Sequence, residues 1–275
     1  FMQIISEKLG VEFDQVHIDT SDSDNLPSGG GSHGSRTSHV GSVAAINSSD
    51  DMIRKGTLIA SEMLETAAVD VEYADGTFRV AGTDRTVTLF DVAKHARTST
   101  SIPEELQGPL TGTDTHTIEN WSYPNGCHVC EIEIEEDTGV VHVIRYSAMD
   151  DVGVVINPML VAGQVHGGVA QGIGQAILEN TVYDPETGQM ISSSFMDYTM
   201  PRADDIPMIA LDTNEVPCTT NMLGVKGAGE AGALVAPPVL IAAITDALRD
   251  YNVSHIDMPA TPERIWQIMQ GNKAA

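Results

Sequence analysis

Hydrophobic and polar positions follow two different periods along the chain, which predicts a mixture of helices and strands. Apolar residues recur at helical spacing in residues 52–66, 157–179 and 237–251. Strict alternation in residues 127–135, and in the runs on either side of Asp75-Gly76, predicts antiparallel hairpins. We therefore expect an α+β fold built from mixed sheets and helices.

Weaker patterns complete the expected element list. The start, FMQIISEKLG, has the pattern of an amphipathic helix, and Val11 to Asp19 has the pattern of a short strand. Residues 181–200 favour a further hairpin, and Thr261 is the expected N-cap of a last helix. We expect one region spanning residues 1–275, with two lobes, 1–97 and 121–275, joined by a polar, proline-containing connector at 98–120.

Composition narrows the function classes. The 275 residues carry 39 acids against 14 bases, a net charge of −25, which repels nucleic acid and anionic membranes. No stretch approaches the length of a membrane span, and the start lacks a signal-peptide pattern. The chain has three cysteines, of which Cys127 and Cys130 form a single CxxC inside an alternating run, so we expect structural cysteines in a cytoplasmic protein.

The stretch GVKGAGEAGALVAPP, residues 224–238, places one acid, Glu230, in a glycine-rich loop before an apolar segment. Such a carboxylate is a candidate general base. The alternative is a glutamate that caps the following helix. Gly227 to Gly232 also satisfies the dinucleotide pattern GxGxxG, but the preceding residues make a poor strand and little chain follows, which disfavours a nucleotide-binding fold.

Two other glycine-rich segments suggest binding. The stretch GGGSHGSRTS, residues 29–38, combines glycines, hydroxyls and Arg36, the composition of an anion site, within a long loop that begins at Asp19 and is either functional or disordered. Glycines interrupt the predicted helix at 157–179, so we expect a backbone or a ligand to approach it closely. Gln164 and His166 on this helix could reach a cofactor, although a lone histidine is more often buried and satisfied within a core.

Four stretches in this order resemble one enzyme family: GSHGSRTS, DDVGVVINPMLVAGQVHGGVAQGIGQAILE, FMDYTMPRADDIP and GVKGAGEAG. They resemble the molybdenum-binding large subunit of the molybdenum hydroxylases, which is the xanthine dehydrogenase and aldehyde oxidase family. The likeness is closest to carbon-monoxide-dehydrogenase-like bacterial subunits and covers nearly the whole chain. It implies a molybdenum-cofactor-dependent oxidoreductase that oxidises a small substrate with oxygen derived from water.

The resemblance also implies roles for individual residues. The loop that holds the pterin and its phosphate corresponds to Ser32, His33, Gly34, Ser35, Arg36 and Thr37. The glutamine that contacts the pterin corresponds to Gln164. The last active-site loop corresponds to Lys226, Gly227 and Gly229, which the resemblance implies bind the cofactor, and to Glu230, the implied general base. The cofactor is molybdopterin, alone or as its cytosine dinucleotide form, and its sulfur atoms hold the molybdenum, so no protein ligand to the metal is implied.

The departures from the family pattern affect the expected partners. An earlier glycine-rich cofactor loop and the loop that distinguishes substrates are absent, so we expect the C-terminal part of a longer subunit or one piece of a split subunit. The resemblance implies three partners: the N-terminal remainder, an iron–sulfur subunit and an FAD subunit. Without them we expect no activity. The alternative is a non-catalytic structural fragment that retains the fold.

Overall fold

The computed structural model describes residues 1–20, 22–24, 29–118 and 120–273. The chain divides into two compact units, Phe1–Trp121 and Ser122–Ala275, which are described separately. Ser21 and residues 25–28 of the predicted long loop, and Glu119 of the predicted connector, lie outside the described residues. Among the described residues, no helix combines the length and apolarity that crossing a bilayer requires.

In its described part, the first unit contains a three-stranded antiparallel sheet and three α-helices. These are α1 (Met2–Leu9), α2 (Thr37–Met63), β1 (Val71–Ala74), β2 (Thr77–Val80), β3 (Thr86–Thr88) and α3 (Leu89–Thr98). Fully buried Ile59 of α2, Phe78 of β2 and Val92 of α3 share one core. The hairpin predicted at Asp75-Gly76 is confirmed, because both residues have the positive φ of a two-residue turn.

Two predictions for the first unit were wrong. The strand expected at Val11 to Asp19 is replaced by a 3₁₀ turn at Phe13–Gln15 followed by irregular chain. Helix α2 begins at Thr37, well before the predicted start at Ser48-Asp50. Gly41 lies within the added turns, where a Cβ would come within 2.6 Å of the Phe1 ring. Packing of α1 against α2 therefore stabilises a segment whose serines and glycines alone favour a loop.

In its described part, the second unit combines a three-stranded sheet with three α-helices. These are β4 (Asn125–Ile134), β5 (Val141–Asp151), α4 (Pro158–Ile173), β6 (Ile209–Thr213), α5 (Ala231–Ala247) and α6 (Pro262–Lys273). Strands β4 and β5 form the predicted hairpin, and β6, which the sequence analysis missed, pairs in parallel with β5. A π-helical turn, Gly174–Leu178, follows α4. The mixed α+β class is confirmed.

Helices α4 and α5 pack side by side through small residues. A Cβ on Gly168 would come within 2.7 Å of the Ala233 nitrogen, and one on Gly172 would come within 2.6 Å of the Ala236 side chain. Since these contacts advance in the same direction along both helices, α4 and α5 run parallel. Buried Val169 of α4 and Leu240 of α5 join Tyr146 of β5 in the core.

Two elements of the second unit differ from prediction. The hairpin expected at residues 181–200 is reduced to an isolated bridge between Tyr183 and Met190. Helix α5 begins at Ala231 rather than at Pro237, so both prolines lie inside it. The close contact of Gly232 with α4 lies in these added turns, and tertiary packing thus extends the helix beyond its apolar pattern. The last helix is confirmed, with the Thr261 hydroxyl accepting from the Arg264 N–H.

Candidate cofactor-binding site

The glycine-rich loop at residues 224–230 lies where the parallel strands β5 and β6 end. The Lys226 N–H donates to the Val152 carbonyl at 2.7 Å, and the Val154 N–H donates to the Gly224 carbonyl at 2.9 Å. Gly153 has φ +69°, and a Cβ there would collide with the Gly224 carbonyl oxygen. The loop is therefore fixed against the chain that leaves β5. Ligands commonly bind at such carboxyl edges of parallel strands.

Glu230 occupies the N-cap position of α5, but its side chain makes no capping hydrogen bond. The residue is exposed and has φ −110° and ψ 0°. Its carbonyl accepts from the Leu234 N–H at 3.0 Å, so its backbone belongs to the start of the helix. The alternative interpretation, in which the Glu230 side chain caps the helix, is therefore wrong.

Gln164 lies on the segment of α4 that meets the start of α5. A Cβ on Gly232 would come within 2.5 Å of the Val165 carbonyl oxygen. Gln164 immediately precedes Val165 and is exposed, while Glu230 lies two residues before Gly232. The second unit therefore brings together the two segments that carry Gln164 and Glu230.

The glycines of α4 divide into two groups. Gly168 and Gly172 are buried against α5, whereas Gly163 and Gly167 are exposed, and a Cβ added to either would have nothing within 4 Å. Each glycine costs a helix up to about 1 kcal/mol relative to alanine. No packing within the described chain offsets that cost at Gly163 and Gly167, which flank Gln164 on the exposed side.

His166 is exposed, so its expected place in a core was wrong. Its Nε2 lies 3.4 Å from the Ile209 carbonyl oxygen. Since β6 was not predicted from the sequence, this partner could not be anticipated.

Lys226 forms an ion pair with Asp151, the last residue of β5. Their side chains are only 11% and 12% exposed. The other Asp151 oxygen accepts from the N–H groups of Gly153, at 2.9 Å, and Val216, at 3.2 Å. Burial alone would raise the pKa of Asp151, but these three donors together hold that pKa below its usual value. Sequence analysis missed Asp151. The one feature that could have indicated it is an acidic residue at the end of a segment of alternating hydrophobic and polar residues.

The predicted anion-binding loop belongs to the first unit. Gly31 and Gly34 have φ of +70° and +62°, with nothing within 4 Å of the place a Cβ would take, and Ser35 has φ +53°. Ser32 and Thr37 join through their hydroxyls, and Arg36 donates to His33 Nε2 at 2.9 Å. The loop therefore contains several residues in the left-handed conformation and is closed by hydrogen bonds between its own polar side chains.

The loop leads directly into α2, whose start suits an anion. Its N-cap, Arg36, makes no side-chain capping hydrogen bond, and the first turn contains no acid. An uncapped helix start attracts negative charge. His39 in this turn is buried at 5% exposure, and neither ring nitrogen has a hydrogen-bond partner. Burial, with a smaller effect of His116, lowers its pKa. The donor set of the first unit therefore fits the phosphate of a cofactor.

His39 was also missed from the sequence, because a histidine one turn beyond a loop gives no sign of burial. From the resemblance we also expect Ser35, Gln164 and Glu230 to meet at one cleft. Ser35 belongs to the first unit and the other two residues to the second, so this expectation stays a prediction. Among the described residues, no group of three or more His, Cys, Asp or Glu is arranged to hold a metal ion. Cys127 and Cys130 of the CxxC alternate along β4, with Cys127 exposed and Cys130 packed on the core.

Both units carry glycine-rich loops on an α+β scaffold, and the loop of the first unit suits a phosphate. These features are typical of a cofactor-binding protein. Residues 1–207 match the family model described as the molybdopterin cofactor-binding domain. The match includes the anion loop, α4 and Gln164. The chain belongs to this family.

Relatives define its place in the family. The gamma subunit of the 6-hydroxypseudooxynicotine dehydrogenase complex of Paenarthrobacter nicotinovorans is 35% identical over 274 residues, covering 99% of this chain and 34% of that protein. The carbon monoxide dehydrogenase large chain of Hydrogenophaga pseudoflava is 31% identical over 276 residues, covering 100% of this chain and 34% of that protein. The solved structure of reconstituted CO dehydrogenase from Oligotropha carboxidovorans matches with a TM-score of 0.87 at 32% identity, covering 99% of this chain and 34% of that chain.

The chain thus spans about a third of the length of the curated relatives it matches. It corresponds to part of the large subunit of molybdenum hydroxylases, which confirms the resemblance stated above.

Proposed function

We propose that this chain is the C-terminal, molybdopterin-binding part of a molybdenum hydroxylase large subunit, in which Glu230 is the general base for oxidation of a small substrate. The observation that carries the proposal is the placement of Glu230. Glu230 is an exposed residue whose side chain does not cap α5, and it stands on a short segment fixed at one end to β5 and at the other to α4. A general base needs such a fixed and accessible position.

In the proposed complex, each glycine-rich segment would contribute to cofactor binding. Arg36 and the hydroxyls of Ser32, Ser35 and Thr37 would bind phosphate, assisted by the N–H groups at the start of α2. His33 would orient the guanidinium to which it is hydrogen-bonded. Gly34, in its left-handed conformation, would let the backbone curve around the group.

In the second unit, the amide of Gln164 would contact the pterin, and Gly227 and Gly229 would allow close approach of the loop backbone. When bound, the cofactor supplies two-electron redox chemistry that protein side chains lack. The cofactor would be molybdopterin, alone or as its cytosine dinucleotide form. No side chain is assigned as a ligand to molybdenum.

Glu230 would accept a proton through a carboxylate oxygen as oxygen derived from water adds to the substrate. Removing this proton as the new bond forms avoids a positively charged oxygen in the transition state. General-base catalysis of this kind contributes roughly 10²–10⁴-fold to the rate. Glu230 would then release the proton to solvent, to which its residue is exposed.

The proposed assembly includes the N-terminal remainder of the large subunit, an iron–sulfur subunit and an FAD subunit, which would receive the electrons. The relatives support this arrangement because they are named as a gamma subunit and a large chain. The small-molecule substrate would be selected by the remainder of the subunit. The three free cysteines are consistent with a reducing compartment, so we propose a cytoplasmic location.

The test is Glu230→Gln in the complete enzyme, with Glu133→Gln on the exposed side of β4 as the matched control. Glutamine keeps the size of the side chain but cannot serve as the base. We expect full molybdenum content, an unchanged melting temperature and a rate of reduction by substrate lower by roughly 10²–10⁴-fold. The control should leave all three unchanged.

Near-normal reduction of a fully loaded Glu230→Gln enzyme would refute the catalytic role. A wild-type assembly that contains no molybdenum would instead favour the non-catalytic structural fragment. Molybdenum content, melting temperature and single-turnover reduction are therefore measured on one preparation.

A further inference from the structure

The buried ion pair between Asp151 and Lys226 joins two segments 75 residues apart in the chain. Both side chains are almost withdrawn from solvent, at 12% and 11% exposure. Burying two charges is costly unless each is well partnered. Asp151 meets this condition, because the N–H groups of Gly153 and Val216 donate to its second oxygen.

The pair belongs to a larger attachment between the chain after β5 and the glycine-rich loop. Gly153 and Val225 form a β-bridge, and the Asn221 side chain brackets Val225 by donating to its carbonyl and accepting from its N–H. Lys226 is the last residue of this attachment. Its backbone is bonded to Val152 and its ammonium group to Asp151.

Downstream, the Ala231 N–H donates to the Ala228 carbonyl at 3.3 Å, and Gly232 is packed against α4 at Val165 and Gly168. Between Lys226 and the start of α5 at Ala231 lie only residues 227–230, with the sequence Gly-Ala-Gly-Glu. Glycine permits many backbone conformations. The start of α5 holds the downstream end of this segment, and Lys226 is its upstream anchor.

We propose that Asp151 is a positioning residue that acts through Lys226 to hold the segment ending at Glu230, and that the Lys226 ammonium group serves this anchor rather than gripping the cofactor. The kinetic consequence rests on the proposed role of Glu230. The structural consequence, an ordered 227–230 segment, does not depend on that role.

The experiment compares Asp151→Asn, Lys226→Met, the double variant and Lys226→Arg in the complete enzyme. Arg145→Met is the matched control, because Arg145 also lies on β5 but pairs with Glu131 at an exposed site. The first measurement is hydrogen–deuterium exchange of the peptide spanning residues 224–234. We expect exchange about tenfold faster or more in both single variants, a smaller increase in Lys226→Arg, which keeps the positive charge, and no change in the control.

The second measurement separates kcat from KM. Misplacing a catalytic group by about 1 Å costs on the order of 10²-fold. We therefore expect kcat to fall about 10- to 100-fold in both single variants, with KM and molybdenum content nearly unchanged. The double variant should be no worse than either single variant, because both remove the same anchor. Lys226→Arg, which keeps the charge, should lose less activity than Lys226→Met.

Unchanged exchange in Asp151→Asn and Lys226→Met would overturn the proposal whatever the kinetics. So would loss of molybdenum from Lys226→Met but not from Asp151→Asn, since Lys226 would then bind the cofactor. Faster exchange with an unchanged kcat would overturn the positioning role of Asp151, whereas near-normal reduction by Glu230→Gln would refute the role of Glu230 itself, so the two failures are distinguishable. If Asp151→Asn fails to fold, Lys226→Gln against Lys226→Arg makes the same comparison and leaves the Asp151 hydrogen bonds to Gly153 and Val216 in place.

Discussion

Two adjacent glycines of α4, Gly167 and Gly168, should respond oppositely to substitution by alanine. A Cβ on Gly168 would come within 2.7 Å of the Ala233 nitrogen and 3.0 Å of the Gly232 Cα. Both are backbone atoms of α5 and cannot rotate away. A Cβ on Gly167 would meet nothing within 4 Å. The helical position is otherwise equivalent, so the pair isolates the effect of the helix contact.

The expected magnitudes follow from two opposing effects. Alanine stabilises an exposed helical position by up to about 1 kcal/mol relative to glycine, so Gly167→Ala should raise the free energy of unfolding by about that amount. Gly168→Ala has the same benefit but forces α4 and α5 apart, and overpacking costs about 1–3 kcal/mol. Because the opposing atoms are backbone, we expect a net loss of about 1–2 kcal/mol.

The assay follows unfolding of the second unit by the fluorescence of Trp266 on α6. The chain has two tryptophans, so Trp121→Phe in the first unit leaves Trp266 as the reporter. The two alanine variants should differ in Tm by about 5–10 °C. If Gly168→Ala is as stable as wild type, the close contact between α4 and α5 is absent. If Gly167→Ala is less stable than wild type, its face is covered from within the chain.

Two further predictions concern the anion loop and the thiols. Arg36→Ala in the complete enzyme should lower molybdenum content, because charge-assisted contacts to phosphate are about twice as strong as neutral ones; full content, equal to that of the exposed control Arg85→Ala, would contradict the binding role. Burial raises the pKa of Cys130 to about 11, so at pH 8 only about one in 10³ of these thiols is ionised. Iodoacetamide should therefore label exposed Cys127 before Cys130, and the labelling rate of Cys130 should rise about tenfold per pH unit. Peptide mass spectrometry measures both rates, and equal rates at pH 8 would show that Cys130 is not buried.

The local elements of the fold were largely predictable from the sequence. The Asp75-Gly76 turn and the hairpin of β4 and β5 follow from alternation and turn residues that act over a few positions. Helix α6 follows from Thr261 and Pro262 at its start. In each case the signal and the element occupy the same short segment.

The parts that sequence analysis missed depend on distant partners. Strand β6 forms by pairing with β5, and α2 gains its first turns by packing against α1. In the candidate site, Glu230 and the anion loop stand out by composition, but the partner of Lys226 does not. Asp151 is 75 residues away, and nothing in its local sequence distinguishes it from Asp150.

Glycine spacing alone was an unreliable guide to function, and the structure shows why. Residues 227–232 match the dinucleotide pattern GxGxxG, which the surrounding sequence already disfavoured, and the structure shows that Gly232 is required by contact with α4. Gly168 likewise serves packing, whereas Gly34 and Gly167 face open space. A glycine that prevents a collision within the chain is explained by the fold. A helical glycine that avoids no such collision still lowers the stability of the helix. Close approach of a group from outside the chain offsets that loss of stability. Gly167→Ala should therefore stabilise the isolated chain while weakening cofactor binding in the complete enzyme, a combination that a purely structural glycine would not give.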